Sequence, residues 1–155
     1  LILFSINALA VPPRSTGKYK NWESFVAETD KGKIWFAQTV PTKRAPAAVK
    51  REKSKLFVTF RPSEDIKDEV SLTSGHDYKT SSVTARSGKR KYSFFSQKDF
   101  AWLLDDQEEK KFIQLMKKAT DIIVIARTIK GAETTDHYSM MGFTKAYNTA
   151  KKACS

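Results

Sequence analysis

The chain is poor in the residues that build metal, redox and phosphate sites. It has one cysteine, Cys154, so no internal disulfide and no cysteine-based zinc or iron–sulfur site can form. That thiol is expected to be free or to bridge to another molecule, such as a second copy of the chain. Its two histidines, His76 and His137, show no H-x-H or H-E-x-x-H spacing, so no metal site is expected. The six glycines are too scattered for a phosphate-cradling loop, and no G-x-S-x-G elbow exists. No apolar run approaches the ~20 residues of a membrane-spanning helix. These absences point to a non-enzymatic protein without a cofactor.

What the chain has in excess is positive charge. Lys and Arg number 28 against 17 Asp and Glu, a net +11 over 155 residues. Such a field favours anionic partners: lipopolysaccharide, phospholipid head groups, sulfated glycans or nucleic acid. The plain alternative is that the charge serves solubility alone. Hydrophobic residues at 40%, with ten Phe, five Tyr and three Trp, suffice for one core.

Leu1 to Ala10 is apolar and uncharged and ends in Ala8-Leu9-Ala10, followed by Val11-Pro12-Pro13. This reads as the remnant of a secretory signal peptide with an A-x-A-like cleavage site, rather than as a buried first strand. Export is expected, which argues against a nucleic-acid partner. Residues 11–20, with Pro, Ser, Gly and Lys, read as an irregular lead-in to one domain over 21–155.

Alternating and β-branched stretches predict about nine short strands: 22–27, 33–40, 55–61, 68–73, 82–85, 91–96, 100–104, 121–129 and 134–140. The nearly all-apolar Asp121–Ile129 stretch predicts a central strand covered on both faces. Two helices are expected in the C-terminal half. One covers about 106–119, where Asp105 and Glu108 fit a capping pair and Phe112, Leu115, Met116 and Ala119 form one stripe. The other carries Phe143, Ala146, Tyr147 and Ala150 after Gly142. The expected fold is mainly β within the α+β class: an antiparallel sandwich or barrel-like sheet with helices at one side or end.

Three segments then occur in a familiar order. They are Phe60-Arg61-Pro62 with Lys67-Asp68-Glu69-Val70-Ser71; Gly131 to Asp136 with Tyr138-Ser139 and Gly142-Phe143; and the ending from Ala146 through Cys154. From Trp22 to the C-terminus the chain resembles the invasion-associated locus B family of exported alphaproteobacterial proteins. The resemblance implies a periplasmic, outer-membrane-associated or secreted protein connected with host-cell invasion, and supplies no catalytic residue. It also implies a Cys in a G-K-x-C-[FY] stretch able to pair with the C-terminal Cys. Here Gly32-Lys33-Ile34-Trp35-Phe36 places Trp35 at that position. A bridge closing so long a loop is worth roughly 3–5 kcal/mol, and Trp35 burying its ring in the core is the expected substitute.

The candidate functional residues are basic. One cluster is Lys43, Arg44, Lys50, Arg51, Lys53 and Lys55, in a long loop from Pro41 to Ser54 and just beyond it; the other is Arg86, Lys89, Arg90 and Lys91, around the Ser87-Gly88 turn. Lying at one end of the sheet, the two would form a single anion-binding surface. The leading expectation is an exported protein binding anionic lipid, lipopolysaccharide, sulfated glycan or an envelope or host protein. Two others stand beside it: a structural or chaperone-like periplasmic factor whose charge is incidental, and a hydrolytic enzyme using Glu133, Asp136 and His137. Adjacent residues of a strand point to opposite faces, which separates Asp136 from His137 and weakens the third.

Overall fold

The computed structural model describes residues 11–155 and turns the alternating pattern into eleven strands and two helices. The strands are β1 (Arg14–Tyr19), β2 (Trp22–Thr29), β3 (Gly32–Thr39), β4 (Lys43–Ala45), β5 (Lys55–Arg61), β6 (Ile66–Thr73), β7 (Val83–Ser87), β8 (Arg90–Gln97), β9 (Phe100–Trp102), β10 (Asp121–Arg127) and β11 (Glu133–Ser139). The helices are α1 (Asp106–Lys118) and α2 (Phe143–Ala153). The expected signal remnant, residues 1–10, lies outside the described residues.

All strands join one open antiparallel sheet in the order β1-β2-β3-β5-β6-β9-β8-β7-β10-β11-β4. This is the mainly-β, α+β class expected. β3 is third in that order and β4 last, yet only Val40, Pro41 and Thr42 separate them in the chain. So short a link reaches ~14 Å at most, so the sheet must curl back on itself. It does so in two lobes joined through β8, which pairs with β9 on one side and β7 on the other.

The main core lies between the lobes. Leu56, Val58 and Leu72 from the first lobe share one cluster with Val83, Ala85, Ile122 and Val124 from the second. Phe112 of α1 and Phe143 and Tyr147 of α2 complete it. Two bonds hold the lobes together beside α2: the Trp22 indole N–H donates to Ser139 O at 2.9 Å, and Asn21 N–H to Met141 O at 3.1 Å. Gly142 sits at this junction with φ +93, where any Cβ would overlap the Tyr19 carbonyl. In a smaller cluster on the first lobe's other face, Phe36 meets Phe57 edge-on, and Phe57, Phe100 and Trp102 stack in turn.

Several details correct the sequence reading. The lead-in is not irregular: Arg14–Tyr19 pairs with β2, with a register shift between Ser15 and Gly17. The basic loop contains the short edge strand β4. β10 is central in hydrogen bonding, between β7 and β11, but it is not covered on both faces. Ile122, Val124 and Ala126 are buried, whereas Ile123 and Ile125 on the opposite face are half-buried. Among the described residues the helices pack against the first lobe, the core and each other, which leaves that second face of β10 half-exposed. For α1, Asp105 caps Gln107 N–H at 2.7 Å as expected. Trp35 is half-buried against the same core cluster as Cys154, rather than fully inside it.

Candidate functional site

Strand register decides which side chains share a face, because residues directly opposite one another on neighbouring strands lie on the same side. On the second lobe, Lys43 of β4 stands opposite His137 of β11, and His137 opposite Ile123 of β10. Ile123 stands opposite Arg86 of β7, and Arg86 opposite Lys91 of β8. Lys43, His137, Ile123, Arg86 and Lys91 therefore form one row across five strands on the outer face. With strands spaced ~4.8 Å apart, the row is about 19 Å long. The next row is Ala45, Thr135, Ile125, Thr84 and Ser93, apolar or hydroxyl-bearing.

The row joins the two basic clusters. Its cations come from the long loop at one end and from the β7–β8 hairpin at the other, with half-buried Ile123 and His137 between them. Lys89, in the turn, and Arg90, beside Lys91 on β8 and so on the other face, are exposed at the hairpin tip. Arg86 and Lys91 face each other directly, a like-charge pair that costs stability by a few tenths of a kcal/mol. The acids on this face do little to cancel the row. Glu133 is taken by Arg127, at 3.2 Å, and Asp121 lies at the end of β10 opposite Ser139.

Not every basic residue of the clusters belongs to this face. The structure removes Arg51 from it. Its side chain is 3% exposed, and its guanidinium straddles the buried carboxylate of Asp136, with Nη1 at 2.9 Å from Oδ2 and Nη2 at 2.8 Å from Oδ1. The first contact is an aligned hydrogen bond and the second an ion-pair contact. Nη1 also donates to Ser54 Oγ and Ser74 O. Arg44 Nε stands 3.7 Å from the same Asp136 Oδ1, so part of its charge is neutralised too. Lys55 lies on β5 of the first lobe, away from the row. Lys50 and Lys53 are exposed in the loop beyond β4.

The Glu133, Asp136 and His137 grouping is dispersed. Asp136 points into the core side with Thr134 and Tyr138, while His137 lies on the outer face. His76 bonds Thr134 Oγ1 through Nε2 at 2.9 Å, on the core side, so the two histidines are on opposite faces of β11. Burial, with Asp136 nearby, holds the Tyr138 phenol well above its usual range. Among the described residues no group of three His, Cys, Asp or Glu could hold a metal ion.

Cys154 packs against the main core, and its thiol donates to Lys151 O at 3.2 Å. Burial pushes that thiol up from its ordinary value.

The residues the sequence left out are Ile123 and Ile125, while His137 was considered only for metal or hydrolytic chemistry and not for this face. Their alternation was visible, but only the pairing of β10 with β7 and β11 puts them between the cations. No described helix is long and apolar enough to cross a membrane. No protein-family model matches the chain, and neither a curated protein nor a solved structure matches it.

Proposed function

We propose that this is an exported, non-enzymatic protein that holds an anionic envelope or host-surface component on the outer face of its second lobe. The observation that carries the reading is the row Lys43, His137, Ile123, Arg86 and Lys91, which brings one cation of the loop cluster and two of the hairpin cluster onto one face. The face is open and shallow, and cations spread over about 19 Å suit an extended array of phosphates or sulfates better than one small anion. The exposed flanks of the isoleucines add apolar contact beside the charges. Arg86 opposite Lys91 is a local cost that a bound anion would relieve, and such local conflicts concentrate at functional sites. The resemblance to invasion-associated locus B proteins supports the exported setting and a place at the bacterial envelope or host surface.

The test is binding of residues 11–155 to three surfaces: vesicles of phosphatidylglycerol in phosphatidylcholine, lipopolysaccharide, and heparin. Binding to at least one class should weaken steeply as salt rises, because the contacts are exposed and screened within ~8 Å at physiological ionic strength. Weak, indiscriminate binding to all three would reduce the charge to a solubility feature and favour the chaperone-like reading.

A further inference from the structure

On the other side of the molecule's charge balance, a cleft of about 570 Å³ opens between the start of β6 and the first turns of α1. That volume is in the range of small-ligand sites, about 300–1,000 Å³. Its acids are Asp65, Asp68, Glu69, Asp106 and Glu109, against Lys67 and Lys110. In a chain of net +11 this is a local reversal of sign. Its remaining wall is apolar: Trp102, Leu103 and Leu104, the last 66% exposed.

Two of the acids are engaged within the fold. Asp68 accepts the Tyr147 hydroxyl at 2.5 Å, and Glu69 accepts Arg61 Nε at 3.3 Å. Asp65, Asp106 and Glu109 have no ion-pair partner among the described residues.

Glu109 is the second, independent observation. It is 8% exposed, and it shares the inward stripe of α1 with Phe112, Ile113 and Met116. An apolar side chain belongs at that position of an amphipathic helix. Its Oε2 accepts Val70 N–H at 2.8 Å, while Oε1 has no hydrogen-bond partner among the described residues and lines the cleft. Glu109 thus sits at an otherwise apolar position with one carboxyl oxygen held by the backbone and the other open to the cleft, where an incoming cation would pair with it.

The geometry points to a binding site for an aliphatic ammonium group, its charge held by Glu109 and Asp106 and its methylenes laid against Trp102 and Leu104. Asp106 and Glu109 are three residues apart on α1 and so share a face. The half-apolar lining suits an organic cation, supplied either as a free polyamine or as a lysine side chain of a peptide.

Proton linkage gives this site a signature. Burial, with Glu69, Asp106 and Asp68 adding repulsion, pushes the Glu109 carboxyl up to about 8. The empty cleft therefore holds a proton at pH 7, and a seated ammonium displaces it to solvent. Calorimetric titration of residues 11–155 with 1,5-diaminopentane, with N-acetyl-lysine methylamide and with 1,5-pentanediol tests the site and separates the sources. One or both amines should bind and the diol should not. Affinity should rise by up to about tenfold per pH unit between pH 6.5 and 8, and the observed heat should follow the buffer's ionisation enthalpy. Glu109→Gln, which keeps an acceptor for Val70 N–H, should weaken amine binding about tenfold or more and abolish the proton release. Absence of binding by both amines, equal binding in Glu109→Gln, or a pH-independent affinity of the wild-type chain would overturn the proposal. The last of these decides the matter even where the variant does not fold.

Discussion

Arg51 and Asp136, 85 residues apart in sequence, meet as a buried two-point ion pair that fastens the basic loop to β11. The pair explains why a loop rich in Lys and Arg has one member turned inward. Arg51 also bonds Ser54 Oγ and Ser74 O, so one guanidinium ties the loop to itself and to the segment after β6.

Removing either partner leaves the other charge buried. Arg51→Ala or Asp136→Asn should therefore cost about 3–5 kcal/mol in chemical denaturation. Replacing both, as Arg51→Met with Asp136→Leu, should recover much of the loss, since an apolar pair of similar size often substitutes for a buried ion pair. Two single variants that unfold at the wild-type midpoint would show the pair to be dispensable.

Stability should fall as pH rises through neutrality. The Glu109 carboxyl is raised from 4.5 to about 8, mainly by desolvation, so the folded state holds a proton that the unfolded state releases. The folded state is thus favoured below pH 4.5 with respect to this group and loses that advantage progressively up to about pH 8. Denaturation midpoints measured from pH 5 to 9 should decline, and Glu109→Gln should flatten the decline. An equal slope in the variant would assign the effect to other groups.

Cys154 should behave as a slow, unpaired thiol. Its sulfur is half-buried on the core, and burial raises it above the ordinary thiol range, which lowers the thiolate fraction that reacts. A non-reducing gel should show monomer, and alkylation at pH 8 should be slower than that of a free cysteine. Rapid formation of a covalent dimer would contradict this placement.

Gly142→Ala should be among the most damaging single changes. The residue has φ +93, which L side chains rarely adopt, and the new methyl would collide with the Tyr19 carbonyl oxygen. A loss of more than about 2 kcal/mol is expected, combining left-handed strain with displaced backbone. Gly88→Ala, also at positive φ but with open space around it, should cost less; circular dichroism melts of both variants check the order.

Local signals were enough for much of the fold. The cap at Asp105 and the apolar stripe marked α1, and the two closely spaced runs 121–129 and 134–140 marked β10 and β11. β1 was not legible, because Arg14-Ser15-Thr16-Gly17-Lys18-Tyr19 has little apolar alternation and is a strand only through its pairing with β2. Covering of β10 was overestimated for a related reason: Ile123 and Ile125 resemble buried residues in sequence, and which face receives a second layer is a tertiary matter. The cations of the site were visible as charge, but their convergence depends on the register of five strands. Arg51 could not be told from Lys50 until its partner at position 136 was located.

The central claim is that position on the outer face, rather than net charge, determines binding. Two variants with the same loss of charge separate these: Lys43→Gln with Arg86→Gln and Lys91→Gln in the row, and Lys18→Gln with Lys33→Gln and Lys152→Gln elsewhere. Sedimentation with vesicles containing phosphatidylglycerol, lipopolysaccharide capture and heparin retention would be measured for both beside the wild type. The account predicts that the row variant loses about tenfold or more in affinity for the surface that the wild type binds, at roughly 1 kcal/mol per basic residue near an anionic surface, while the second variant stays near wild type. Equal weakening in both variants would contradict it.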